Sequence, residues 1–260
     1  MKRLRTLGLL VTKKRLDHAV AERGLTETRS QAESYIKLGK VRVNGRVILK
    51  PGFFVAPTAE LTLESEDRYV SRAGLKLASV ARALQLSFSD AVVLDVGSST
   101  GGFTDYALQH GAKKVFAVDV GTEQLHPSLR GDTRIELHEK TDIRDFIPSE
   151  TPSIIVIDVS FISLRDVLPH VAQHVAGPDT KIAAMVKPQF EAGAGHTNNG
   201  VIKNDSVRRG ILKDFEQWAK DYFVIVDKQD SDVAGAKGNR ERFYLLTLKR
   251  NSTTSPGRIT

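Results

Sequence analysis

No cysteine occurs in the 260 residues, which excludes disulfides and thiolate metal sites. Long apolar runs are missing as well. The opening stretch MKRLRTLGLLVTKKRLD has basic flanks, but its apolar centre spans only Leu7 to Val11. That is too short for a signal-peptide core or a membrane span, and no later segment reaches spanning length. A cytoplasmic protein with no membrane partner is expected. Histidine is sparse: of seven, only His170 and His174 sit one helical turn apart. No third ligand stands nearby, so no metal site is expected. What the chain does have is 40% apolar and 27% charged residues, the balance of a soluble globular protein rather than a disordered one.

Acidic residues are short in one region only. Residues 1–50 hold 13 Lys/Arg against 4 Asp/Glu, net +9, whereas the remaining 210 carry 25 against 27, net −2. Such a basic block is either a solvated face or a nucleic-acid handle; its confinement to one compact segment favours the handle. Within it, KKRLDHAVAERGL places Leu16, Ala19 and Val20 at helical spacing and stops at Gly24. TRSQAESYIKLGK opens with Thr28 and Gln31 in capping-box register, buries Ala32, Tyr35 and Ile36, and ends at Gly39. VRVNGRVI is a hairpin turning at Asn44-Gly45. Arg15, Arg29, Lys37, Lys40 and Arg42 are the candidate RNA contacts, suited to phosphates and hence to positioning without reading sequence. From about Lys14 to Glu64 the chain resembles the S-four-type, or alpha-L, RNA-binding domain. The resemblance implies that the second helix and the hairpin face structured RNA.

Beyond PGFFVAPTAELTLESED the pattern changes to alternating units. A helix is predicted near Gly74–Leu84. Strands are predicted near Val92–Val96, Lys114–Asp119, Arg134–His138, Ile154–Asp158, Ile182–Val186, Phe223–Asp227 and Arg242–Leu248. SIIVID is continuously apolar, as a parallel strand covered on both faces requires. The class is therefore α/β: a small α+β module over 14–64, then a doubly wound Rossmann-like sheet over 69–249. The tail, 250–260, has the composition of a disordered segment.

In such sheets ligands gather beyond the carboxyl ends of the strands. Asp95, Asp119 and Asp158 end strands there, Lys187 follows IAAMV, and Asp142 comes a few residues after the third strand. In VLDVGSSTGGFTD, Asp95 closes a strand, Gly97 permits a turn, and Gly101 and Gly102 open a helix whose amides can approach a polar ligand. Ser98, Ser99 and Phe103 complete that candidate cofactor loop. Asp119, 24 residues after Asp95, suits ribose hydroxyls. The dinucleotide fingerprint needs a second glycine where Ser99 stands, which favours S-adenosylmethionine over a nicotinamide cofactor. The motif alone leaves a methyl donor, a dinucleotide and a structural turn open.

Six ordered stretches extend the pattern: YVSRAGLKL, DVGSSTGGFTD, VDVG, VIDVSFISL, VKPQFEAG and GNRERFYLL. With the basic module they resemble the TlyA, or haemolysin-A, family, which joins an S-four-type domain to an FtsJ-like methyltransferase domain. The resemblance implies S-adenosylmethionine as cofactor, ribosomal RNA or ribosomal subunits as partner, and 2′-O-methylation of cytidine. It also implies a Lys-Asp-Lys-Glu tetrad, falling on Lys76, Asp158, Lys187 and Glu241. Lys187 becomes the candidate general base; Asp95 and the glycine turn would seat the methionine end, Asp119 the ribose and Asp142 the adenine edge, with no metal. Read singly, each tetrad member has a bland role: Lys76 an exposed helix lysine, Asp158 a helix cap, Lys187 a partner of Glu191, Glu241 an exposed strand-end acid. Two departures stand out. Ala73 replaces a usual glycine, which matters if that position needs positive φ. Arg240 and Arg242 flank Glu241 where apolar neighbours are expected. A non-catalytic RNA-binding factor and a membrane-lytic protein are the competing functions, and a nicotinamide-dependent dehydrogenase suffers from Ser99.

Overall fold

The computed structural model describes residues 13–26, 29–37, 39–63, 69–192, 201–202, 204–235 and 238–249. Thr28, Glu64 and the 250–260 tail, on which expectations were placed, lie outside the described residues. The chain divides into two compact units, Met1–Arg68 and Tyr69–Thr260.

The first unit contains β1 (Lys14–Arg15), α1 (Leu16–Glu22), α2 (Arg29–Lys37), β2 (Val41–Val43), β3 (Arg46–Val47), β4 (Phe54–Val55) and β5 (Leu61–Leu63). β2 pairs antiparallel with β3 and β5, and β1 with β4. The β2–β3 turn has Asn44 at φ 49° and Gly45 at φ 77°, the two positive angles that a type I′ hairpin demands. Leu16, Val20, Ala32, Ile36 and Val41 are fully buried between helices and strands. So is Asp17. Pro51 and Phe53 carbonyls accept the Asp17 and Leu16 amides, laying the 51–54 segment over the start of α1.

The second unit is built on α3 (Arg72–Ala81), β6 (Val92–Val96), α4 (Gly102–Gln109), β7 (Lys114–Val118), β8 (Ile135–His138), β9 (Ile154–Ile157) and α5 (Leu164–His170). It continues with β10 (Lys181–Val186), α6 (Pro188–Glu191), α7 (Asp205–Ala219), β11 (Phe223–Asp230) and β12 (Arg242–Leu248). Seven strands form one sheet in the order β11-β12-β10-β9-β6-β7-β8. Five central and outer strands, β8 through β10, run parallel; β12 runs antiparallel to both β10 and β11. Ile155, Val156 and Ile157 of β9 are fully buried because β10 and β6 flank them and both faces are covered. The predicted helix begins two residues early and ends at Ala81, since Gln85 takes a left-handed φ of 50° in the turn that follows. The predicted β11 runs on to Asp230, with a register shift between Ile225 and Asp227. Strand order reverses between β6 and β9, so their carboxyl ends open a crevice.

Candidate active site

The turn after β6 is built around one buried carboxylate. Asp95 Oδ2 accepts from the Thr104 amide at 2.9 Å and its hydroxyl at 2.7 Å, fixing the first turn of α4. Asp95 Oδ1 is buried and has no hydrogen-bond partner. Burial pushes its pKa from 3.8 up to about 7, against the Thr104 hydrogen bonds and with added repulsion from Asp158 and Asp119. Gly97 has φ +81°, and a Cβ there would lie 2.8 Å from the Asp158 carbonyl oxygen. The glycine therefore lets β6 and β9 stay adjacent where the crevice begins. Ser99, at the missing fingerprint glycine, is itself left-handed at φ 46°. Its amide donates to Asp119 at 2.8 Å and its hydroxyl to Gln124 at 2.9 Å.

Two hollows follow that edge. The larger, about 360 Å³, is lined by Gly97, Asp119, Val120, Asp142, Ile143 and Val159 among others. The smaller, about 140 Å³, shares Gly97, Ser99, Asp158 and Ser160 with it and adds Asp95, Ser98, Phe103 and Lys187. Polar groups fringe aliphatic walls, as a nucleoside site requires. Asp119 has one oxygen on the Gly121 amide, at 2.7 Å, and the other on Ser99. Asp142 is already engaged: Arg144 donates from its amide, Nε and Nη2, which holds the carboxyl below its ordinary pKa. Ser98 Oγ is buried without a partner, and Phe103 packs on Phe243 with ring centroids 5.9 Å apart.

Beside the smaller hollow lie two buried ion pairs. Lys187 Nζ sits 2.5 Å from Asp158, and Lys76 Nζ 2.6 Å from Glu241. Both are close by distance and outside hydrogen-bonding angles. All four side chains are at most 14% exposed. Register ties the pairs together. Val186 faces Arg242 across β10 and β12, so the next positions set Lys187 opposite Glu241. A Cβ on Gly235 would lie 2.6 Å from Glu241 Oε1, so that glycine makes room for the carboxylate. The bland readings of Lys76 and Glu241 as exposed groups do not hold. Glu191 does not pair with Lys187 either; it accepts from Ser163 Oγ and the Leu164 amide, capping α5.

Residues 69–249 match the FtsJ-like methyltransferase family, and residues 14–61 match the S4 domain. The chain belongs to the FtsJ-like methyltransferase family. It is 37% identical to the 16S/23S rRNA (cytidine-2′-O)-methyltransferase TlyA of Mycobacterium tuberculosis, over 93% of this chain and 92% of that one. Hemolysin A of Brachyspira hyodysenteriae is 38% identical, over 87% and 97% of the two chains. A solved structure from Streptococcus thermophilus, carrying the haemolysin name, is 40% identical with a TM-score of 0.68, covering 92% of this chain and 90% of that one.

The two departures from the family pattern have structural answers. Ala73 is helical and needs no positive φ; the position that requires glycine is the next one. A Cβ on Gly74 would lie 2.5 Å from Tyr69 Cβ and 2.9 Å from the Gly102 carbonyl oxygen. Arg242 points away from Glu241 to Asp230 at 2.6 Å, and Arg240 is 61% exposed. In the first unit, Arg15 and Arg29 are not free: both pair with Asp17, at 2.8 and 3.0 Å. Burial alone would raise the Asp17 pKa, but the two guanidiniums outweigh it and hold the carboxyl well below the usual range. Arg42 donates to the Gly45 carbonyl at 3.3 Å. Lys37 is exposed and Lys40 half-buried.

Sequence reasoning passed over Ser160 and Phe161, between β9 and α5. Ser160 Oγ accepts from Lys187 Nζ at 2.6 Å. Phe161 is 91% exposed at φ 66°, its ring 5.3 Å from Phe190 just past Lys187. An aromatic three residues after the strand-end acid Asp158 was the available signal.

Proposed function

We propose that this protein transfers a methyl group from S-adenosylmethionine to the 2′-oxygen of a cytidine in ribosomal RNA. The observation that carries the reading is the juxtaposition of two buried lysine–carboxylate pairs at one sheet edge, opening on a nucleoside-sized crevice. The names and whole-length similarity of the relatives support it.

The donor set fits the cofactor. The orphaned Asp95 Oδ1 offers an acceptor for the methionine ammonium, and Ser98 Oγ a second buried polar group. Asp119 stands at the ribose end, and Ile143 and Val159 supply apolar walls for a purine. Asp142, being held by Arg144, contributes most simply through its place in the wall. When bound, the cofactor supplies a methyl group already activated on a sulfonium.

The chain's own task is positioning and proton removal. Lys187, as the amine, takes the 2′-hydroxyl proton, and Asp158 holds the resulting ammonium. Lys76, held by Glu241, sets a second cation where the 2′-oxygen gathers negative charge. The exposed Phe161, beside Phe190, offers the acceptor base a stacking face, and the strain of its left-handed backbone fits a functional loop. The basic first unit supplies phosphate contacts, with Lys37 and Lys40 readier than the paired Arg15 and Arg29. Ribosomal RNA as substrate implies a cytoplasmic location.

The test is transfer of labelled methyl from the cofactor to ribosomal RNA, with modified riboses mapped. Lys187→Ala is expected to abolish transfer while cofactor affinity stays near the wild-type value. Wild-type turnover by that variant would remove the proposed base.

A further inference from the structure

We infer that Ser160 is a further catalytic residue, the hydroxyl through which Lys187 passes its proton to water between turnovers. The inference rests on the role proposed above for Lys187.

A base that keeps its proton works once. Lys187 is nearly enclosed, its side chain 10% exposed, so its contact with bulk water is small and direct loss of the proton is slowed. Among the described residues, two polar groups touch its ammonium: the Asp158 carboxylate and Ser160 Oγ. Asp158 is the counter-charge, and taking the proton would cancel the field that holds the lysine in place. Ser160 differs in kind. A hydroxyl accepts and donates at once, and Ser160 is exposed while lining both hollows. It thus bridges the enclosed nitrogen and solvent.

The segment carrying Ser160 is pinned on either side. The Asp158 amide donates to the Val96 carbonyl at 3.0 Å. Ser163 and the Leu164 amide are held by the buried Glu191, whose own element begins one residue after Lys187. Ser160 is therefore held relative to Lys187 from two directions, the preorganisation that a relay needs.

The protons balance. As the 2′-oxygen forms its bond to the methyl carbon, the carbon–sulfur pair stays with sulfur, and the 2′-hydroxyl proton moves to Lys187 Nζ. Nζ then gives a proton to Ser160 Oγ while the serine's own hydroxyl proton passes to water. Lysine and serine return to their starting states, and no co-reactant is needed.

The experiment compares full-length wild type, Ser160→Ala, Ser160→Thr and Lys187→Ala in steady-state methyl transfer to ribosomal RNA. Exchange of the Lys187 Nζ protons with water is measured by NMR on the cofactor-free protein. Ser160→Ala should lower kcat by about ten- to a hundredfold, the rate equivalent of one hydrogen bond to a charged group. KM for RNA and cofactor should hold, and Nζ exchange should slow. Ser160→Thr, which keeps the hydroxyl, should restore most of both. Wild-type kcat and exchange in Ser160→Ala overturn the relay, as does a rise in cofactor KM at unchanged kcat. Wild-type turnover by Lys187→Ala would instead bring down the parent reading, and the relay with it.

Discussion

Cutting one half of the Lys76–Glu241 pair separates what the pair does for stability from what it does for chemistry. The Glu241 side chain is 3% exposed and Lys76 12%, with the charged atoms 2.6 Å apart. Lys76→Met keeps the aliphatic stem but strands a carboxylate with Gly235 against one oxygen and no hydrogen bond to the other. Breaking a buried pair in this way costs about 3–5 kcal/mol. For a unit of this size that lowers Tm by roughly 2–4 °C per kcal/mol, or about 10 °C in all. Glu241→Gln should cost less, about 1–3 kcal/mol, because the lysine stem can lift its head toward water. In Lys76→Met/Glu241→Gln no charge is stranded, so stability should return to within about 1 kcal/mol of wild type, a strongly non-additive cycle. The assay is urea unfolding followed by Trp218 fluorescence. Trp218 is the chain's only tryptophan and lies on α7, so the signal reports the second unit alone. Methyl transfer should be lost in all three variants, including the restabilised double. Additive losses would refute the buried-pair reasoning, and an active double variant would refute the pair's part in the chemistry.

Asp95 gives a pH signature. Its folded pKa of about 7 exceeds the ordinary 3.8, so the native state keeps a proton that the unfolded chain has already lost. Its stabilising contribution is complete below about pH 4 and is lost as pH rises through about 7; Asp95→Asn should flatten that slope in pH-dependent unfolding. Because a cation beside Oδ1 favours the ionised form, cofactor binding below pH 7 should release a proton, seen by calorimetry in buffers of different ionisation enthalpy. Gly74→Ala should destabilise by about 1–3 kcal/mol through overlap with Tyr69 and Gly102, whereas Ala73→Gly should cost about 1 kcal/mol of helix propensity; thermal melts rank the two. Replacing both Lys37 and Lys40 by alanine should weaken RNA binding and reduce the salt slope of log K by about one per lost phosphate contact, checked by titration at several salt concentrations.

The strands were legible because parallel strands announce themselves as apolar runs, and SIIVID could not have been exposed anywhere. Their carboxyl ends then located Asp95, Asp119, Asp158 and Lys187 at one edge. What stayed hidden depends on contacts distant in sequence. Arg15 and Arg29 read as free cations, since nothing in the helical spacing says that residues 51–54 fold over Asp17 and bury it. Asp142 read as an open acceptor, although the arginine two residues on folds back on it. Glu191 read as a neighbour of Lys187 in sequence, but the helical turn after Pro188 swings it toward α5.

The same reasoning explains why two arginines belong beside Glu241. Arg242 opens β12 with its side chain on Asp230 at 2.6 Å, and the exposed Arg240 reaches the same acid at 3.7 Å, whereas Glu241 between them turns to Lys76. Asp230, directly across from Arg242 on β11, takes Arg242 at 2.6 Å and the buried Arg208 at 2.7 Å. Burial would raise the Asp230 pKa, but the two arginines outweigh it and lower it, so the acid is a firm anchor. A one-residue slip of β12 would bring an arginine, instead of Glu241, beside Lys76 and across from Lys187, and so gather cations in a nearly enclosed place. Register errors in a sheet normally cost packing; here the error would also cost a buried counter-charge. The residues that made Glu241 look out of place in the sequence are the ones that hold it at the site.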